Sequence, residues 1–248
     1  MPELAQLRRI FDAEDRAIAT LLRRDVVEVV RSLNTSDPRA ATRALLALIP
    51  EIGERWVGPQ VVAAADFYEG LRDYYGVSGS FSADVDGALP VEAIHRNVRW
   101  AVESIFSVDP DVQELMRRLS ASMERHVRDA GRDTIAFSAM RDRATVGWRR
   151  VASPGACAFC VMLSTRWGDY SSKEAATSVG SGSAGRVRGA QAEGSRYHDY
   201  CRCRAEPVFP GWQPDAQEQA WERAYAKAAV PGDPKATMAN LRKELGTH

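Results

Sequence analysis

Cysteine is scarce in this chain of 248 residues: there are four, all between positions 157 and 203, and that excludes a disulfide-rich secreted scaffold. Long hydrophobic runs are missing. The apolar stretches extend only a few residues, against the ~18 needed to cross a bilayer, and residues 1–15 mix both charge signs without an apolar segment. A soluble protein made in a cytoplasm, with no membrane partner, is expected. Net charge is lacking as well, because Lys+Arg 33 balance Asp+Glu 33. No global field draws the chain to nucleic acid or to an acidic surface, so any such contact has to come from a local patch. The sequence also contains no Gly-x-Ser-x-Gly elbow, no phosphate-cradling loop and no dinucleotide fingerprint.

What is present is helical periodicity. Leu4, Leu7, Phe11, Ile18, Leu22, Val26, Val29 and Leu33 recur mostly at intervals of three and four, which predicts a long amphipathic helix. Ser36-Asp37-Pro38 caps and opens a second, which Pro50 is expected to end or kink. A third begins near Pro59, with Gly76 suited to the left-handed position past its end. Pro90 opens a fourth, and Asp109-Pro110 a long fifth, weakened at Gly131. After Ala144 the texture changes to a short strand around Gly147-Trp148-Arg149-Arg150-Val151 and a closing strand within residues 202–209. The fold class expected is mainly α: a helical hairpin or bundle arm over residues 1–145, then a small α+β lobe over 146–212 and a helical tail over 213–248.

The chemistry concentrates in that lobe. Cys157-Ala158-Phe159-Cys160 places two thiols on one turn, and His198-Asp199-Tyr200-Cys201-Arg202-Cys203 brings three more metal-binding side chains from a second segment. Five candidates, Cys157, Cys160, His198, Cys201 and Cys203, face a tetrahedral Zn²⁺ that needs four, and two ligand pairs joined by a long loop are how small domains use zinc to replace a missing core. In an extended segment Cys201 and Cys203 point to the same side, so either can ligate while the other packs. A disulfide and inert packing of small buried thiols are the competing readings. The His-x-Glu that accompanies Cys-x-x-Cys in nucleobase deaminases is absent, so the expected zinc is structural and no enzyme is expected. Between residues 141 and 204, eleven basic residues stand against five acidic ones. Arg149, Arg150, Arg186 and Arg188 are candidates for a phosphate-binding face, and equally for offsetting thiolate charge.

The run Gly147-Trp148-Arg149-Arg150-Val151, Cys157-Ala158-Phe159-Cys160-Val161-Met162-Leu163, Arg166-Trp167-Gly168-Asp169-Tyr170 and Tyr197-His198-Asp199-Tyr200-Cys201-Arg202-Cys203 before Pro207-Val208-Phe209 resembles the phage Mu F-like minor head (head morphogenesis) proteins, in the form found in actinobacteriophages. The likeness covers roughly residues 60 to 210. It departs from many relatives in the Gly/Ser-rich stretch 179–194, which spaces the ligand clusters further apart. The resemblance implies a minor capsid protein present in a few copies in the virion, at the portal vertex and capsid interior, made in the host cytoplasm. Its implied partners are the portal protein, a major capsid or scaffolding protein and packaged DNA. The alternative is a zinc-containing nucleic-acid-binding protein that contacts packaged DNA.

Overall fold

The computed structural model describes residues 3–85, 87–153, 155–165, 199 and 201–247. These are mainly helical, as expected, with one small sheet. The elements are α1 (Leu4–Ser32), α2 (Pro38–Tyr74), α3 (Val91–Val102) with a 3₁₀ turn (Glu103–Ile105), α4 (Val112–Arg141), β1 (Gly147–Val151), α5 (Ala158–Ser164), β2 (Arg204–Val208), α6 (Ala216–Ala228) and α7 (Pro234–Leu245). None of these helices is long and apolar enough to cross a membrane.

The chain divides into two compact units. The first holds α1, α2, α3 and α4 as far as Thr134, around a core that includes Leu22, Val26, Leu45, Ile49, Ile94, Val98, Leu115, Leu119 and Val127. These are the apolar positions of the 3.6-residue period, each helix contributing the face that its sequence keeps free of charge.

Two departures from the expected pattern have identifiable causes. Residues 38–74 form one helix, although Pro50 and Pro59 lie inside it. Proline at 50 removes the N–H that would have bonded the Leu46 carbonyl four residues back. His95 of α3 supplies the replacement, its Nε2 lying 3.1 Å from the Leu46 oxygen, and the helix continues. Gly131, which weakens α4 on intrinsic grounds, stands where a Cβ would come within 3.0 Å of the Gln60 side chain and 3.2 Å of its carbonyl oxygen. Its missing side chain lets α2 and α4 approach each other. The cap of α4 is Asp111, whose carboxylate accepts from the Glu114 N–H at 2.8 Å, two residues beyond the expected cap at Asp109. Gly76, at φ 65°, takes the left-handed conformation expected after α2.

The second unit comprises Tyr75–Gly79 and, Asp199 apart, the described residues from Ile135 onward. Its boundary falls inside α4, ahead of residue 145, and residues 213–248 belong to it instead of forming a separate tail. The reason is packing: Ala158 of α5 shares a small core with Ala228 of α6 and Leu241 of α7, flanked by Met162, Ala224, Tyr225, Met238 and Leu245. Strands β1 and β2 pair antiparallel, from Gly147 opposite Val208 to Val151 opposite Arg204.

Candidate metal centre

The strand register brings the cysteines together. Val151 ends β1 directly opposite Arg204, the first residue of β2, so the chain leaving β1 toward Cys157 and the chain arriving from Cys203 meet at one end of the ladder. Cys157 precedes the first turn of α5 and Cys160 lies inside it, a spacing of three that sets both side chains on one side of a helix. The sulfurs of Cys160, Cys201 and Cys203, all buried, lie within 4.8 Å of one another. Cys160 Sγ is 3.5 Å from Cys201 Sγ, and all four cysteines are free thiols. Cys157, half-buried, joins them through a thiol contact with Cys160.

Sulfurs at ~2.3 Å from a tetrahedral ion stand about 3.8 Å from each other, a spacing that lies between the 3.5 Å Cys160–Cys201 separation and the 4.8 Å within which the three sulfurs fall. The Cys160 thiol is pushed well above its ordinary value, first by hydrogen bonding with Cys157, Cys201 and Cys203 and then by burial. Cys203 is drawn down by its hydrogen bond with Cys160, but the Cys201 sulfur and burial outweigh this and push it up to about 11, while the Ser153 backbone hydrogen-bonds its sulfur. A cation entering such a cluster would favour the thiolate form, so the three buried sulfurs could hold a metal ion.

Of the expected ligands, Cys160, Cys201 and Cys203 are brought together, with Cys157 against them; Cys201 and Cys203 both point into the cluster. His198 lies outside the described residues, as do Arg186 and Arg188.

The expectation for Arg149 and Arg150 is corrected. They are 1% and 2% exposed, so they offer no face to phosphate. Arg149 donates to Glu206 of β2 at 2.6 Å and to Glu218 of α6, and its guanidinium lies 4.4 Å over the Trp212 ring. Glu206 also accepts from Arg204 at 2.7 Å. Both strands are buried on nearly every position, and Arg149 and Arg204 find their carboxylates inside. Glu218 and Trp212, which complete this network, were not singled out from sequence. Asp215 and Glu218, three residues apart at the start of α6, do form the capping-box pattern that locates one of them.

Comparison with known protein families matches a model described as VG15 protein to residues 1–228. The chain belongs to the VG15 protein family. The match reaches both compact units, ending with α6, and makes this a phage protein, which suggests virion association. Neither the curated proteins nor the solved structures provide a significant match to this VG15 family member.

Proposed function

We propose that this VG15 family protein is a minor capsid, head-morphogenesis component. In this reading it is associated with the portal vertex and capsid interior, is made in the host cytoplasm, and assists head assembly and DNA packaging or delivery. The observation that carries the reading is the convergence of Cys160, Cys201 and Cys203 at one end of the β1–β2 ladder, in a chain of a phage family. It gives physical form to the motif on which the resemblance to phage Mu F-like minor head proteins rests. The cluster holds a structural zinc ion, with Cys157, Cys160, Cys201 and Cys203 as available thiols and His198 as the remaining candidate. Bound there, the ion supplies a cross-link between α5 and the segment entering β2, in a unit whose apolar core is small. The protein's work is binding rather than catalysis, and portal and capsid or scaffolding proteins are its partners.

The test is association. The full chain, purified without added zinc, is mixed with the portal protein encoded by the same phage genome at moderate salt. Co-purification is expected, together with detection of the protein in purified virions. A protein absent from virions and indifferent to portal would overturn the assignment. Elemental analysis of the same preparation should find about one zinc per chain, lost in Cys203→Ser.

A further inference from the structure

Helix α1 buries Phe11, Ile18, Leu22, Val26 and Val30 on one side. The outward side, at about 100° per residue, carries Arg9, Arg16, Arg23, Arg24 and Arg31, all exposed. Arginines seven residues apart stand about 10.5 Å apart along the axis, and the row from Arg9 to Arg31 covers about 33 Å. Gln6, Ala13, Ala17 and Thr20, also exposed, lie between the guanidinium groups, and Ile10, 48% exposed, stands at the edge of the face near its start. The acidic residues of α1 are engaged inward or stand to the side. Asp15 is bound by Arg128 at 3.0 Å, and Asp25 accepts from the Trp56 indole at 3.0 Å and from Arg55 at 3.3 Å. Glu14 and Glu28 flank the row. Arg23 and Arg24 touch Glu124 and Asp25 yet remain 50% and 66% exposed. Arg9, Arg16 and Arg31 make no ion pair with a carboxylate among the described residues. Arg39 and Arg43 are also exposed, in the first turns of α2.

We propose that this face of α1 docks on the sugar-phosphate backbone of double-stranded DNA without regard to sequence. An evenly spaced line of guanidinium groups fits a uniform polyanion, since each group can meet phosphate oxygens with two parallel hydrogen bonds. Its length is close to one duplex turn, about 34–36 Å. A protein partner would call for aromatic or large aliphatic anchors at the centre of the contact, and the row has alanine and threonine there. With its other side buried in the unit, α1 lies on the backbone and does not enter a groove, so it reads charge and not bases. The inference does not depend on the zinc site or on the portal, and it places DNA contact away from the buried Arg149 and Arg150.

The test is fluorescence anisotropy of the full chain with a labelled mixed-sequence duplex of about 30 base pairs, between about 50 and 200 mM salt. Binding should weaken steeply with salt. The variant R9Q/R16Q/R31Q, checked for folding by its thermal melt, should bind more weakly, with the slope of log K against log salt reduced by about 3. Lys235→Gln with Lys243→Gln on α7 should leave the slope unchanged, and Glu28→Gln should strengthen binding. Absence of binding at low salt, an unaltered slope in the triple variant, or preference for polyglutamate over the duplex would each overturn the proposal; the last would assign the face to an acidic protein.

Discussion

Glu218 serves two purposes with one carboxylate. Its Oε2 accepts the Asp215 N–H at 2.9 Å, closing the capping box of α6, and its Oε1 receives Arg149. Because Arg149 is buried against Glu206 and Trp212 as well, removing Glu218 leaves a guanidinium half-compensated in a dry site, and loss of one partner of such a pair costs about 3–5 kcal/mol. Glu218→Ala is therefore expected to lower the unfolding free energy of the second unit by about that amount, with up to ~1 kcal/mol more from the lost cap. Urea denaturation followed by tryptophan fluorescence measures it. A change below about 1 kcal/mol would mean that the network is solvated and weak. The arginines themselves are visible in the sequence. Their partners are not, because Glu206 and Glu218 lie far along the chain and only the pairing of β1 with β2 and the docking of α6 bring them to Arg149.

At the scale of elements, α3 and α4 are joined by a contact that titrates. The Asn97 amide donates to His126 Nε2 at 2.7 Å, a bond that only the neutral imidazole can accept, since a proton on Nε2 would set donor against donor. Burial first, then repulsion from Arg125 and Arg96, lowers the His126 pKa from 6.5 to about 4. The stability this contributes is complete above pH 6.5 and is lost as the pH falls toward 4, by up to about 3 kcal/mol. Asp129, one turn further along α4, runs the opposite way: burial raises its pKa from 3.8 to about 6, so its contribution weakens as the pH rises through that range. His126→Gln keeps an acceptor for Asn97 and removes one of two opposed titrations. Chemical denaturation across pH 4 to 6.5 should show the variant gaining on the parent toward acid, and parallel curves would contradict this account. The other element-scale lesson is α2, where proline argued for two helices and a histidine on a neighbouring helix kept one.

For the whole molecule, the division into two units would make the effect of an ion at the thiol cluster local. The first unit has a continuous apolar core and no cysteine, whereas the second closes its sheet end with the thiol cluster. A chelator such as EDTA, applied to the zinc-loaded full chain, is expected to abolish hydrogen-exchange protection across β1, α5 and β2 and to leave α1 to α3 protected. Uniform retention of protection would show that the thiols pack without need of an ion. The sequence by itself determined the helical character, the two short strands, the caps at Asp37 and Gly76, and which residues have the chemistry to hold a metal, because periodicity and ligand type are local properties. Tertiary structure decided what depends on distant partners: that α2 runs through Pro50, that Gly131 is a contact and not a weak point, that the last helices complete the second unit, that Arg149 faces carboxylates inside and that Arg150 is buried. Burial of charge is settled by what packs against it, and nothing in the neighbouring residues of the chain records that.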